Sequence, residues 1–336
     1  MGAAYASGRI LVALQVHDGP QAPGRIEGRF YDVAAHRLDP PFPLTDTEAF
    51  DPQVVAVQGR FFVTWRQGPL LPRVQVLGRM VKTDGGLGKV ESLTGDESAR
   101  VFTIGQDGRV VLVWSMLTED GRCILKSAAL TPASRREPEV TLKDSTDCFA
   151  SPSRRGRYVA TKEGVGVEVV DLYARPGPRR TVVTEDYAFA SAVIETTTGA
   201  LVVWEGSSPG GENSGLRTRV VSNTGALLGE EHVFPTFHAG FIPALVSDGA
   251  RTYLLTGPHS TLLELDQHGS PRGSTFDLTP CSPKTGLWVE TDLGPYLLWV
   301  EPRHDGGACA KDRAYVPGHD EALLAPIRCA SSASPP

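Results

Sequence analysis

The sequence predicts an all-β fold, a seven-bladed β-propeller with four antiparallel strands in each blade. The chain has 336 residues and is rich in turn-forming residues, with 36 glycines and 26 prolines that follow no collagen-like period. A turn-plus-strand unit recurs along it at roughly 45 to 50 residues, the repeat length of propeller blades. Apolar residues at helical spacing are hard to find. Together these features favour many short strands arranged as repeated sheets.

The repeated unit is clearest at 199–215, "GALVVWEGSSPGGENSG", where a glycine turn is followed by an apolar run ending in Trp204 and then a polar loop. Related stretches are "SGRILVAL", "QGRFFVTW", "DGRVVLVW", "RGRYVATK", "DGARTYLL" and "LGPYLLWV". The glycines at which the seven units align are Gly8, Gly59, Gly108, Gly156, Gly199, Gly249 and Gly294. The unit is therefore a repeat of the whole chain and not a local accident.

Each unit has room for four strands, A to D. In the second unit, "DPQVVAVQG" is strand A, "RFFVTW" strand B, "RVQVLGRMVKTDG" strand C and "KVESLT" strand D. Glycine hairpins join A to B and C to D, because a tight hairpin turn needs positive φ. "AAYAS" supplies strand A of the first blade and "APIRC" strand D of the seventh, so the ring closes by packing without strand exchange. We expect one domain over 1–329 and a disordered tail at 330–336.

These units resemble the seven-bladed propellers of secreted or surface bacterial proteins with degenerate "yLVVW" repeats. The resemblance covers the chain from Ala3 to about Cys329, and it implies binding or assembly roles, with lyases and lactonases as a minority. The Gly-His and Trp-Asp pairs of WD40 repeats are absent, as is the Ser-x-Asp-x-Gly box of sialidases. The fourth unit departs most, with Lys162 where others have Trp.

Four tryptophans stand at the same place in the repeat, the end of strand B: Trp65, Trp114, Trp204 and Trp299. An aromatic stack for sugars is conceivable. Recurrence at one repeat position favours packing between blades, and we assign these residues to the core.

The five cysteines allow a partial disulfide framework. Cys123 opens strand C of the third blade and Cys148 follows its strand D, and Cys309 and Cys329 stand in the same relation in the seventh. Neighbouring strand ends can bring β-carbons within bonding reach, so we predict these two bonds, with Cys281 unpaired. Cys281 with Cys309 is the competing pair. Reduced thiols in a cytoplasmic protein are the other alternative.

The strand order sorts the charged loops onto two faces. The D to A connections share one face with the B to C loops, and we predict a binding rim there around the central channel. Its candidate residues are Asp46, Glu48, Asp96, Glu97, Asp144, Asp147, Glu185, Asp186, Tyr187, Phe237, His238 and His259. Such an acidic rim would form a funnel that attracts a cationic ligand or holds a hard cation such as Ca²⁺ or Mg²⁺. A solvated rim is the simpler interpretation, and no EF-hand spacing is present.

The opposite face carries the hairpins and a group of arginines. They are Arg135, Arg136, Arg154, Arg155, Arg157, Arg175, Arg179 and Arg180. Such a patch could hold an anionic polymer through bidentate contacts, or it could simply keep the sheet edges soluble. A net charge of −6 and the lack of interleaved aromatic residues exclude nucleic acid as the expected partner.

Two function classes follow. The first is a non-catalytic binding or scaffold propeller that recognises a glycan or a protein. The second is a metal-dependent lyase or lactonase, with His238 or His259 as base. Its partner or metal ligand in the central channel would be Glu185, Asp186 or Asp144. No apolar run approaches the roughly 18 residues of a membrane span. We expect a secreted, periplasmic or cell-surface protein whose export signal was removed; because "MGAAYASGR" shows no such signal, a cytoplasmic protein stays open.

Overall fold

The fold comes from a computed structural model. It describes residues 1–18, 23–68, 74–94, 98–106, 108–130, 138–145, 149–153, 156–163, 166–174, 178–184, 188–206, 215–234, 244–247, 251–256, 261–273, 275–277, 285–304 and 315–326. Side chains within a few of these strands are left undescribed. Every regular element in this part of the chain is a β-strand.

The strands form antiparallel sheets, seven of them in the described residues, each built from consecutive strands. The first contains β1 (Gly2–Ala6), β2 (Arg9–Val16), β3 (Arg25–Asp32) and β4 (Arg37–Leu38), with β5 (Phe42–Pro43) also paired to β3. The second contains β6 (Phe50–Val57), β7 (Arg60–Gln67), β8 (Gln75–Val81) and β9 (Glu91–Ser92). The third contains β10 (Ser98–Gln106), β11 (Arg109–Leu117), β12 (Cys123–Leu130) and β13 (Val140–Ser145).

The remaining sheets repeat this order. The fourth contains β14 (Ala150–Pro152), β15 (Tyr158–Glu163), β16 (Gly166–Asp171) and β17 (Arg179–Thr184). The fifth contains β18 (Ala188–Glu195), β19 (Gly199–Gly206), β20 (Gly215–Ser222) and β21 (Leu227–Phe234). The sixth contains β22 (Ala244–Ser247), β23 (Thr252–Thr256), β24 (Thr261–Leu265) and β25 (Phe276–Asp277). The seventh contains β26 (Thr285–Thr291), β27 (Gly294–His304) and β28 (Tyr315–Pro326).

The predicted glycine turns are confirmed wherever they are described. Positive φ is found at Gly8, Gly59, Gly108, Gly156, Gly199 and Gly294, while Gly249 lies outside the described residues. The turn between β6 and β7 has φ of 50° at Gln58 and 70° at Gly59, the double positive φ of a type I′ hairpin. Because consecutive strands of each sheet are antiparallel, the turn between the first and second strands lies at the same end as the turn between the third and fourth. We call this end of the sheets the hairpin end.

The last sheet differs from its prediction. Ala325 and Pro326, the start of "APIRC", pair with Leu297 and Tyr296 of β27, so they belong to the third strand and not to a fourth. β27 and β28 are 11 and 12 residues long, and this long hairpin uses the residues that we had assigned to strand D. "APIRC" as strand D is therefore wrong for these two residues; 327–329 lie outside the described chain.

Buried side chains from adjacent sheets form the core. Trp65, Trp114 and Trp204 are at most 2% exposed and belong to clusters that join neighbouring sheets, and Trp299 is partly buried. The tryptophans are therefore packing residues, as the repeat predicts. The first strands contact one another from β26 through β1, β6, β10, β14 and β18 to β22, which makes them the inner strands.

The first and last sheets pack together directly. Ile10 and Val12 of β2 share an apolar cluster with Val289 and Leu298 of the last sheet. The rings of Tyr31 and Tyr296 meet edge to face with centroids 5.7 Å apart. In addition, the Tyr5 hydroxyl donates to the Asp292 carboxylate. The predicted closure by packing, without strand exchange, holds for the strands described.

Candidate functional site

Two adjoining cavities open at the hairpin end. The smaller has a volume of ≈ 340 Å³ and lies between the inner strands β1, β6, β10, β14 and β26. The larger, which we call the cleft, has a volume of ≈ 610 Å³. Gly105 and Glu290 line both, so the cleft continues into the space between the inner strands. An alanine β-carbon at Gly105 would lie 2.7 Å from the Ala56 carbonyl oxygen, so glycine allows β10 and β6 to approach here.

The cleft is lined by polar groups from several sheets. β18 and the turn after it contribute Glu195, Thr196 and Thr197, and β26 contributes Glu290. The sixth sheet supplies the rest of the polar lining: Ser247, Arg251, Thr252, Glu264, Asp266, Gln267, His268 and Arg272. Four carboxylates, two guanidinium groups, one imidazole and four hydroxyls therefore surround one space, a lining that suits a polar ligand.

Internal hydrogen bonds hold the sixth-sheet wall in place. The Asp266 carboxylate accepts from the backbone N–H groups of His268 at 2.8 Å and Ser270 at 2.9 Å, which fixes the turn that carries His268. Glu264 lies 3.6 Å from an Arg251 guanidinium nitrogen, and its backbone carbonyl accepts from the Arg272 N–H at 2.7 Å. Arg251 and Arg272 therefore line the same wall of the cleft.

Glu195 is positioned by the neighbouring fourth sheet. Its Oε1 accepts from the Ser153 hydroxyl and from the Arg157 backbone N–H at 3.1 Å. Ser153 is 1% exposed and itself accepts from the Tyr158 N–H at 3.0 Å. Burial raises the pKa of Tyr158. Glu195 is thus a fixed carboxylate at the edge of the cleft.

The sequence-predicted acidic rim lies mostly outside the described residues, including Asp96, Glu97, Asp147, Glu185, Asp186, Tyr187, Phe237, His238 and His259. Asp46 and Glu48 are exposed in the connection before β6. Asp144 lies on β13, the outermost strand of its sheet, and accepts from Arg122 at 2.7 Å. Arg122 also bonds Asp120, and hydrogen bonds from Thr118 and Arg122 lower the pKa of Asp120 to about 2.

Three of the eight predicted arginines are described, and each has an internal partner. Arg157 pairs with both oxygens of Asp171 at 3.2 and 3.0 Å, and this hydrogen bonding raises the pKa of Arg157. Arg179 donates to the Asn223 carbonyl at 2.9 Å, and Arg180 donates to the Leu142 carbonyl. The other five, Arg135, Arg136, Arg154, Arg155 and Arg175, lie outside the described residues.

Of the cysteines, the structure describes Cys123, which is 2% exposed at the start of β12 and disulfide-bonded. Cys148, Cys281, Cys309 and Cys329 lie outside the described residues, so both predicted pairings remain predictions. β28, twelve residues long, now lies between Cys309 and Cys329, so the argument from adjacent strand ends no longer supports that pair. Within the described ranges, no three His, Cys, Asp or Glu side chains cluster closely enough to hold a metal ion.

The sequence did not predict the cleft residues, because they lie at the end of the sheets opposite the predicted binding rim. They sit in or beside hairpin turns, "TTTG", "SDGAR" and "DQHG", which we interpreted only as turn formers. The concentration of charge in two consecutive turns of the sixth unit was the available signal.

Comparisons with solved structures agree on the architecture. A periplasmic gluconolactonase of Pseudomonas aeruginosa, PpgL, is 16% identical with a TM-score of 0.55, over 83% of this chain and 86% of that one. The β-propeller domain of the Trilobed protease from Pyrococcus furiosus, described as having an open velcro topology, is 10% identical with a TM-score of 0.51, over 96% of both chains. Sqt1 of Chaetomium thermophilum is 14% identical with a TM-score of 0.53, over 92% of this chain and 83% of that one.

No protein-family model matches the chain, and no curated protein matches it significantly. The described part of the chain contains no helix long and apolar enough to cross a bilayer. At these identities the likeness concerns the fold alone. With its antiparallel sheets of consecutive strands and their contacting inner strands, the chain has a β-propeller fold.

Proposed function

We propose that this chain is a seven-bladed propeller of the degenerate "yLVVW" kind that binds a glycan or a smaller carbohydrate, with the cleft as its ligand site. One observation carries the proposal: a ≈ 610 Å³ space continuous with the inner-strand cavity and lined by hydroxyls, carboxylates and guanidinium groups. Its volume is within the range of about 300 to 1,000 Å³ usual for small-ligand sites. The polar lining favours a ligand with many hydroxyls, because each buried polar group needs a partner.

The cleft lies at the hairpin end, whereas the sequence predicted a site on the loop face. On the loop face, the described Asp144 and Asp120 are already paired with Arg122. We further propose that the protein is exported, because disulfides such as that of Cys123 persist mainly in oxidising compartments. A protein ligand, the other class that the sequence suggested, would need a surface larger than the cleft.

The test is calorimetric titration of the full chain with neutral, acidic and amino monosaccharides. Thr197 is exposed and lines the cleft, so Thr197→Trp should fill the site and abolish binding. Thr224→Trp is the matched control, because Thr224 is exposed in the turn after β20 and does not line the cleft. Failure of every sugar to bind, or binding that survives Thr197→Trp, would contradict the proposal.

A second candidate is hydrolysis of a sugar lactone. His268 lines the cleft together with four carboxylates, and histidine is the side chain that most often acts as a general base. One structural neighbour is a gluconolactonase, a likeness of fold that makes the assay worthwhile. Glucono-δ-lactone should then open faster than in a protein-free blank, and His268→Gln should remove the excess rate. A rate equal to the blank would exclude this activity for that substrate.

A further inference from the structure

We infer that Arg272, which lines the cleft together with Arg251, recognises a carboxylate, so that the ligand of the cleft is an acidic sugar such as a uronate or an aldonate. The inference rests on the proposed binding function and narrows its ligand class. It comes from how the charged groups of the cleft are already bonded within the protein.

The carboxylates of the cleft are largely engaged. Glu195 accepts from Ser153 and Arg157, and Asp266 accepts from two backbone N–H groups of its own turn. Glu264 lies against Arg251. These carboxylates can still accept from ligand hydroxyls, since each oxygen has two lone pairs. Part of their hydrogen-bonding capacity, however, is already used within the protein.

The guanidinium of Arg272 differs from these carboxylates in its bonding. Arg272 is exposed at the cleft, and among the described residues its side chain makes no hydrogen bond or ion pair. The Arg251 side chain is 55% exposed, and its nitrogen lies 3.6 Å from Glu264, an ion pair longer than a hydrogen bond. Arg272 thus offers forked N–H donors, a geometry that matches a carboxylate bidentately.

The positions of the charged groups in the cleft suggest an orientation for the ligand. Arg272 and Arg251 belong to the sixth sheet, whereas Glu195 and Glu290 lie on β18 and β26. A sugar with its carboxylate on Arg272 would direct its hydroxyls towards Glu195 and Glu290. Four carboxylates against two guanidinium groups make the long-range field negative, so the anion must be held by short contacts.

The experiment compares three probes of one ring size on the full chain: sodium d-glucuronate, methyl α-d-glucopyranoside and d-glucosamine. Glucuronate should bind at least about tenfold more tightly than the neutral glucoside, the effect of one charge-assisted hydrogen bond. Arg272→Gln should weaken glucuronate by about tenfold or more and leave the glucoside unchanged. Arg60→Gln is the matched control, an exposed arginine at the hairpin of the second sheet.

The outcomes separate the inference from the proposed function. If glucuronate and the glucoside bind equally, or if Arg272→Gln changes neither, the carboxylate assignment is overturned while carbohydrate binding stands. Preference for glucosamine also overturns it, because the four carboxylates would then select the ligand. If none of the three binds, both the inference and the binding function fail. Equal melting temperatures of the variants and the parent would exclude misfolding as the cause.

Discussion

Gly199 shows at the scale of one residue why the repeat requires glycine. Its φ is +155°, and an added β-carbon would lie 2.0 Å from the Val221 carbonyl oxygen on the paired strand. Gly121 has φ of +79° in a turn where an added β-carbon meets nothing within 4 Å. Backbone conformation alone constrains Gly121, whereas a steric clash is added at Gly199.

We expect Gly199→Ala to lower the free energy of unfolding by about 3 kcal/mol or more, and Gly121→Ala by about 1 to 2 kcal/mol. Urea denaturation of both variants provides the comparison. Equal losses would show that the strand next to Gly199 moves away easily and that packing there is loose.

Lys143 and Glu168 form a buried ion pair between the third and fourth sheets. Lys143 is 2% and Glu168 6% exposed, and Nζ lies 3.3 Å from Oε2. Nζ also donates to the Lys162 carbonyl at 2.7 Å. The departure of the fourth unit at Lys162 thus coincides with a buried ion pair between two sheets.

Lys143→Met should cost about 3 to 5 kcal/mol, because it leaves the Glu168 carboxylate buried without its cation. Adding Glu168→Met should recover at least half of that loss, since the unpaired charge is then removed. Thermal or urea unfolding of the two single variants and the double variant measures this coupling. A double variant as unstable as the sum of the singles would rule out charge burial as the cause.

At the scale of elements, the first and second strands of each unit were predictable, because apolar runs and glycine turns mark them. The outer strands were harder to predict. "KVESLT" correctly contains β9, but β4, β9 and β25 have two residues each, and short edge strands bury too little apolar surface to leave a clear pattern. The seventh sheet was misjudged because the β27–β28 hairpin is longer than its counterparts, a difference that repeat spacing does not reveal.

The disulfide of Cys123 anchors the start of β12. Reduction should lower the free energy of unfolding by about 2 to 4 kcal/mol, because the cross-link restricts the unfolded chain. Cys123→Ser should melt at the temperature of the reduced parent. Dithiothreitol should not lower the melting temperature of this variant through the Cys123 bond, because the variant lacks it. An unchanged melting temperature after complete reduction would show that the bond is strained or adds nothing.

At the scale of the whole molecule, the site was harder to predict than the fold. Glu195, Arg251, His268 and Glu290 come from three consecutive sheets and line one space only once these sheets are folded. Sequence spacing carries no information on such convergence, whereas each blade repeats its own local pattern. The charges that could be sorted by topology alone, Asp144 and Arg157 among them, are satisfied within the protein.

The acidic connections of the loop face were considered as a site for Ca²⁺ or Mg²⁺. We expect the melting temperature to be the same in EDTA and in excess of either ion, because the described Asp144 already pairs with Arg122. An ion at a hundred times its dissociation constant would add about 2.7 kcal/mol if it bound only the folded chain. A clear rise, lost on Asp144→Asn with Asp186→Asn, would restore the loop-face metal site.

The seam between the first and last sheets joins elements from opposite ends of the chain. Tyr5 and Asp292, with the Tyr31–Tyr296 pair, hold it through side chains, and no backbone ladder among the described strands crosses it. A pulling force applied to the two termini would therefore separate the first sheet from the last before it breaks the backbone hydrogen bonds within any sheet. Under tension the ring would open first at this seam, and the sheets would then unfold one after another from the two ends of the chain.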